Sequence, residues 1–287
     1  MFIQRLCIIG VGLIGGSLAR ALRQAKAVGE IVGAGRREAR LRKALELGVI
    51  DRYETALPIA VADADVVLVA VPLGAMGEVF AAIADYLPAQ CVLTDVGSAK
   101  ASVVSEVERV FGRAPANFVP GHPIAGTEQS GVEASFAELF QHRRVILTPL
   151  LETAAGAHDL IREMWATAGA EVVDMEVRHH DEVLAATSHL PHILAYTLVD
   201  TLARLDDRAE IFRYAAGGFR DFTRIASSDP QMWHDICLAN RGPLLEMIEQ
   251  FSRDLAGLAE AIGRGEGDAI MAVFQRAKHA RDSLYLD

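Results

Sequence analysis

Between residues 3 and 175, short apolar runs rich in β-branched residues alternate with amphipathic segments. The runs predict strands over Ile3–Ile9, Glu30–Ala34, Val66–Val71, Cys91–Val96, Asn117–Pro120, Val145–Thr148 and Glu171–Met175. Helical periodicity fills the intervals over Leu13–Ala25, Arg37–Leu47, Gly74–Asp85, Lys100–Phe111 and Ala154–Ala168. A run such as Val66-Val67-Leu68-Val69-Ala70-Val71 has no polar alternation, as expected of a parallel strand covered by helices on both faces. The alternation predicts an α/β domain with a doubly wound parallel sheet over residues 1–175. Beyond Met175 the strand signal stops. Arg178–Leu205, Ala209–Ile225, Gln231–Ile262 and Asp268–Leu284 read as helices, and Asp229-Pro230 is a helix start with aspartate as N-cap and proline in the first turn. Residues 176–287 are thus expected to form an all-α domain. Its apolar positions exceed what one small bundle can hide, which predicts a homodimer through these helices.

A length of 287 residues allows two domains, and 51% hydrophobic with 23% charged residues is the composition of a compact soluble chain. No segment has the run of apolar residues that a membrane span needs, and the start lacks the order of a signal peptide, so a cytoplasmic protein is expected. Cys7, Cys91 and Cys237 are too few and too far apart for a disulfide framework or structural zinc, and the first and second fall in strand-like runs as buried thiols. A net charge of −10 argues against nucleic acid or an anionic membrane as partner. An anionic substrate must then be met by local positive charge.

Gly10-Val11-Gly12-Leu13-Ile14-Gly15-Gly16 follows the first strand and opens a helix, the context in which a glycine fingerprint binds a dinucleotide. Gly10 permits the tight turn, Gly12 lets backbone approach the pyrophosphate, and Gly15 lets helix and strand pack; Leu13 and Ile14 lie at the helix N-terminus. Val71, Pro72 and Gly97, past the third and fourth predicted strands, complete the expected cofactor contacts. An NAD site carries Asp or Glu at the end of the second strand. Here Val32-Gly33-Ala34-Gly35-Arg36-Arg37 has no acid, and Arg36 and Arg37 stand where a 2′-phosphate would lie. NADP is the favoured cofactor, with NAD as the other possibility and Glu38 as the opposing feature.

Gly121-His122-Pro123-Ile124-Ala125-Gly126-Thr127-Glu128-Gln129-Ser130-Gly131 holds a histidine in a Gly/Pro-rich turn, which fixes the backbone as a catalytic base requires. Ser188-His189-Leu190-Pro191-His192 sets two histidines one helical turn apart beside a proline that bends the helix. No metal is expected, because the i, i+4 histidine pair with a glutamate is missing. With Asp95-Val96-Gly97-Ser98-Ala99-Lys100 and Gly217-Gly218-Phe219-Arg220-Asp221-Phe222-Thr223-Arg224-Ile225-Ala226, these motifs occur in an order that resembles the prephenate/arogenate dehydrogenase family of tyrosine biosynthesis over nearly the whole chain. With no mutase segment before the first strand and little chain after the helices, it looks like the family's stand-alone minimal form.

The resemblance implies oxidative decarboxylation of a cyclohexadienol, prephenate or arogenate, with hydride leaving for the nicotinamide as carbon dioxide departs. It implies that His122 takes the ring-hydroxyl proton, with Ser98 near the same hydroxyl. Ser98 also reads as an N-cap of the helix that follows. Arg224 is implied to bind a substrate carboxylate, with Asp221 holding its guanidinium, and Gly217, His192 and Trp233 are the further substrate contacts. His189 reads as a satisfied core or hinge histidine, and His179-His180 as a polar helix start. Tyrosine is a possible product inhibitor. Two rival classes remain. A β-hydroxyacid dehydrogenase or imine reductase is disfavoured for the former because no lysine lies between Lys100 and Lys278 to act as acid/base. A non-catalytic NADP-sensing module would not need His122, Ser98 and Arg224 together.

Overall fold

The computed structural model describes residues 2–127 and 129–283. Glu128 of the histidine motif and the expected helix end at Leu284 lie outside the described residues. In chain order the elements are β1 (Ile3–Ile9), α1 (Leu13–Gln24), β2 (Val28–Ala34), α2 (Glu38–Glu46), β3 (Arg52–Glu54), α3 (Leu57–Val61), β4 (Val66–Val69), α4 (Leu73–Ile83), β5 (Val92–Asp95), α5 (Lys100–Phe111), β6 (Phe118–Val119), β7 (Gly121–Pro123), β8 (Arg144–Leu147), α6 (Ala155–Thr167) and β9 (Glu171–Asp174). Helices follow: α7 (Val177–Leu184), a π-helical turn (Ala185–His189), α8 (Leu190–Ala203), α9 (Arg208–Arg213), α10 (Gly217–Thr223), α11 (Pro230–Ala239), α12 (Arg241–Arg264) and α13 (Gly267–Ser283). Two compact units result, one through Arg241 and one from Gly242.

The main sheet has the order β3-β2-β1-β4-β5-β6 and all its pairs are parallel. Alternate residues of each strand enter opposite cores: Leu6, Ile8, Ile31, Val66 and Leu68 pack on one face, Cys7, Ile9, Val32, Val67 and Val69 on the other. Burial on both faces is what the unbroken apolar runs demanded. It also pushes the Cys7 and Cys91 thiols up to about 12, so both are inert. The pairs Ile9↔Ala34, Ile9↔Val69 and Val69↔Asp95 set the carboxyl ends of β1, β2, β4 and β5 level along one edge.

Several elements differ from the expected ones. The runs near residues 145 and 171 do not join the main sheet; β8 and β9 pair in parallel, and β7 adds antiparallel to β8 to give a separate three-stranded sheet. β3 and β7 are three residues each, too short for an alternation to register. The helix expected over Ala209–Ile225 breaks between Arg213 and Gly217, and that over Gln231–Ile262 breaks at Asn240. The break at Asn240 has a cause: its side chain is committed to tertiary hydrogen bonds. Asp229 does cap α11, accepting from the amides of Gln231 at 2.8 Å and Met232 at 3.1 Å. No helix among the described residues is long and apolar enough to cross a membrane.

Gly10 has φ +99°, and a Cβ there would lie 2.4 Å from the Ala70 carbonyl oxygen, whereas a Cβ on Gly12 meets nothing within 4 Å. Gly10→Ala should therefore cost about 1–3 kcal/mol of stability or more, and Gly12→Ala no more than about 1 kcal/mol as an N-cap change. Urea unfolding of both variants checks this; equal losses would contradict it.

Candidate active site

Because the strands are parallel and level, every segment leaving their carboxyl ends meets at one edge, on either side of the switch between β1 and β4. Gly10, Gly12, Leu13, Ile14 and Gly15 leave β1 there. Gly12 is the N-cap of α1 without a side-chain cap, no acid stands in the first turn, and the space above it is open. Gly15 is buried, and a Cβ on it would lie 2.7 Å from both the Gly10 carbonyl oxygen and Ile8. This cradle of free amides at a helix N-terminus fits a dinucleotide pyrophosphate. Arg36 and Arg37 are exposed past β2, Val71 and Pro72 follow β4, and Gly97 and Ser98 follow β5. The Gly97 amide is already donated to Asp95 Oδ2 at 2.7 Å, so Gly97 serves as a close-packed turn rather than as a hydrogen-bond donor.

His122 sits on β7, opposite Ile146, and is 8% exposed. Its Nδ1 lies 2.9 Å from His180 Nε2, and His180 Nδ1 lies 2.8 Å from Asp181 Oδ1. Asp181 also accepts the amides of Lys100 at 2.7 Å and Ala101 at 2.9 Å. These three donors fix the proton positions. A carboxylate only accepts, so His180 donates from Nδ1 and must accept at Nε2. His122 then donates from Nδ1, and its Nε2 carries a lone pair. That nitrogen makes no hydrogen bond among the described residues and is not sealed from solvent. An oriented, neutral imidazole backed through a second imidazole by a carboxylate has the geometry to accept a proton.

Electrostatics agree with this assignment. Burial, reinforced by His180, Lys100 and His189, holds the His122 pKa well below the ordinary imidazole value of 6.5. Burial also lowers His180, with Asp181 acting in the opposite sense. For Asp181 burial alone would raise the pKa, but the hydrogen bonds from His180, Lys100 and Ala101 bring it below the usual carboxylate value.

The expected N-cap role of Ser98 is not what the structure shows. Ala99 is the N-cap of α5 and has no side-chain cap; the orphan amides of Lys100 and Ala101 go instead to Asp181 from α7. Nor is His180 part of a polar helix start. His179 is exposed, its amide capped by Glu176 at 2.8 Å, but His180 is 0% exposed and central to the site. His189 is only half satisfied: Nδ1 pairs with Asn240 Nδ2 at 3.0 Å, while Nε2 is buried without a partner. His192 stacks on Trp233 with ring centroids 3.6 Å apart and 20° between planes, and its Nδ1 is held by the Ser188 carbonyl at 2.9 Å. Gly217, Asp221 and Arg224 are exposed on α10 and the 3-10 turn that follows it, outside the relay; α10 ends at Thr223, so Asp221 and Arg224 do not share one continuous α-helix. Among the described residues no cluster of three or more His, Cys, Asp or Glu is arranged to hold a metal ion.

Beneath the relay lies a buried ion pair that spacing did not single out. Lys100 Nζ bonds Asp95 Oδ2 and the Gly121 carbonyl, the latter at 2.6 Å, and both side chains are 0% exposed.

Against known proteins, the nucleotide-binding domain of prephenate dehydrogenase matches residues 18–174, and the dimerization domain of prephenate dehydrogenase matches residues 176–276. The chain is 40% identical to a cyclohexadienyl dehydrogenase of Zymomonas mobilis, covering 99% of this chain and 97% of that one. It is 34% identical to a prephenate dehydrogenase of Bacillus subtilis, covering 97% and 76%. A crystal structure of prephenate dehydrogenase from A. aeolicus, in complex with hydroxyphenyl propionate and NAD+, superposes with a TM-score of 0.92 at 36% identity, covering 99% of both chains.

Three buried imidazoles with depressed pKa values make stability depend on pH. The unfolded chain binds protons below about pH 6.5 that the folded chain refuses, so stability is fully present above that value. It is lost as pH falls toward the lowered values, which for His189 lie at about 4. Urea unfolding at about pH 7.5 and about pH 5 should show a clear loss at the lower pH, smaller in His189→Asn; equal slopes in both proteins would contradict it.

Proposed function

We propose that this chain, which belongs to the prephenate dehydrogenase family, oxidatively decarboxylates prephenate, arogenate or both with a nicotinamide dinucleotide as hydride acceptor. The observation that carries the reading is the free Nε2 of His122, oriented by His180 and Asp181. The open glycine cradle of α1 fits the dinucleotide, which when bound supplies the hydride-accepting ring. Residues 1–175 are assigned to its binding and residues 176–287 to substrate binding and dimerisation.

The substrate's ring-hydroxyl proton passes to His122 Nε2 as the hydride leaves the carbon that bears the hydroxyl. His122 then donates from Nδ1 to His180, and His180 to the carboxylate of Asp181, so the positive charge created at His122 is met by a fixed negative one. Loss of carbon dioxide leaves its electron pair in the ring, which becomes aromatic. Ser98, half-buried after β5, orients the hydroxyl. Arg224, with Asp221, clamps a substrate carboxylate, as a net charge of −10 requires of any site for an anion. His192, pinned flat on Trp233, faces the substrate, and Gly217 leaves room for it.

NADP is the preferred cofactor in this reading. Arg36 and Arg37 are exposed where the 2′-phosphate would lie, and the neighbouring acid is engaged: Glu38 accepts from Arg42 at 2.9 Å and from the Tyr53 hydroxyl at 3.0 Å. The enzyme works as a cytoplasmic homodimer. Large apolar side chains of α12 and α13, among them Leu255, Ile262, Met271 and Phe274, are more than half exposed in the single chain, which supports pairing through these helices. Tyrosine, the aromatic product class, is proposed to compete in the substrate site.

Turnover assays with prephenate and arogenate, each with NADP and NAD, test the reading directly. His122→Asn should retain dinucleotide binding but lower kcat by about 10²–10⁴-fold. It should also abolish the acidic limb of kcat/KM, which in the wild type lies below the ordinary imidazole range because the His122 pKa is lowered. Near-normal turnover with an unchanged limb would refute the assignment.

For the cofactor, kcat/KM should favour NADP by at least about tenfold, one desolvated arginine–phosphate pair's worth. Replacing Arg36 and Arg37 by serine should cost NADP far more than NAD. Unchanged selectivity in that variant would show the arginines to be a solvated turn.

A further inference from the structure

We propose that Asp95 and Lys100 are positioning residues for the reaction: together they grip the Gly121 backbone at both its N–H and its C=O, and so fix the strand that carries His122. The inference rests on the reading of His122 as the base.

β7 is three residues long and pairs with β8 along one edge. At its other edge the Gly121 N–H and C=O have no strand to satisfy them. The N–H is donated to Asp95 Oδ1 at 3.2 Å, and the C=O accepts from Lys100 Nζ at 2.6 Å. The ion pair between Asp95 and Lys100 closes the ring, and the two side chains stand in for the missing strand. Glycine suits so close an approach: a Cβ on Gly121 would lie 3.1 Å from the Asp95 backbone oxygen, a tight contact that would need a shift of a few tenths of an ångström. Asp95 Oδ2 also takes the Gly97 amide at 2.7 Å, which ties the turn carrying Ser98 to the same carboxylate.

Lys100 references the other end of the relay as well. Its backbone amide is one of the two that hold Asp181, which in turn holds His180. One residue thus sets His122 through its ammonium and His180 through its amide. A pair needed only for stability is replaceable by apolar residues of similar volume. A pair that grips a backbone peptide next to the reacting nitrogen is not, because a displacement of about 1 Å there costs on the order of 10²-fold in rate. The ammonium also acts at a distance. Protonation of His122 is opposed by His180 from α7, His189 from the π-helical turn and Lys100 from α5, while Asp181 and Asp95 favour protonation of its partner His180.

The test uses the full chain with Asp95→Asn, Lys100→Met and the double variant, which removes both charges and leaves no buried ion unpaired. The double variant should stay folded, bind the dinucleotide within about threefold of wild type and lose about 10²-fold in kcat. In Lys100→Met the acidic limb of kcat/KM should move to higher pH, since the ammonium that disfavours a protonated His122 is gone. In a His122→Asn background Lys100→Met should cost kcat nothing further. Asp95→Asn keeps one acceptor oxygen, enough for the Gly121 amide or the Gly97 amide but not both, and should show a loss of kcat in the same direction, readable if the double variant is unstable. Near-wild-type kcat and limb in the folded double variant would overturn the inference, as would loss of dinucleotide affinity in step with kcat. An active His122→Asn would instead overturn the reading of the base, so the two failures are distinguishable.

Discussion

Asp181 accepts hydrogen bonds from two amides at the start of α5 and from an imidazole, and the geometry of the site follows from that. A helix N-terminus presents unpaired N–H groups and partial positive charge, so a carboxylate there is both satisfied and kept ionised. Because it comes from α7, the cap also binds the helical segment to the sheet, whose strand β5 feeds α5 directly. Asp235 of α11 does the same more weakly for α4, accepting the Gly74 amide at 3.3 Å. Helix termini at the carboxyl edge of a parallel sheet usually wait for an anionic ligand. In this chain the α5 terminus is closed by a side chain, and the α1 terminus, lined by glycines, is left open.

That division of labour explains why the two halves of the chemistry can sit together. The main sheet delivers backbone amides level along one edge, which suits a pyrophosphate. Its carboxylate at the end of β5, Asp95, is already committed to Lys100 and to the amides of Gly97 and Gly121. His122 arrives from a second sheet, where the glycine before it packs closely against the end of β5. Burial then does the selecting: an imidazole 8% exposed is held neutral, and its free nitrogen is the one its partners do not use.

Much of this was legible in the sequence. The span of β1 matches its apolar run, α5 matches its periodic segment, and the glycine fingerprint sits where the strand-to-helix turn forms. His122 was marked by its Gly-His-Pro triplet, expected as a stiff turn, whereas the structure makes that triplet the short strand β7. The partners of His122 were not, because nothing local joins residues 95, 100, 122, 180 and 181. The stretch Val177-Arg178-His179-His180-Asp181-Glu182 reads as a solvated helix start when counted by charge. Counted by face it reads differently: His180 stands one turn before Leu184 and Asp181 one turn before Ala185, both buried. That i, i+4 pairing of a titratable residue with a core residue was the available signal. β3 and β7 carried none, being too short to show a period, and Asn240 breaks a helix for tertiary reasons that no propensity encodes.

The basicity of His122 is set by two opposing fields. Burial and the ammonium of Lys100 make the imidazolium unfavourable, and alone they would leave a well-oriented but feeble base. Asp181 works against them through His180, whose own protonation it favours. A proton arriving at Nε2 of His122 is answered at Nδ1 by donation toward His180, and the charge moves toward the carboxylate instead of resting beside the ammonium. The resting site therefore stays neutral at ordinary pH, and in the proposed role of His122 the charged state formed during turnover is the one the relay would stabilise. Interactions that strengthen only as charge develops are those that raise a rate rather than merely tighten binding.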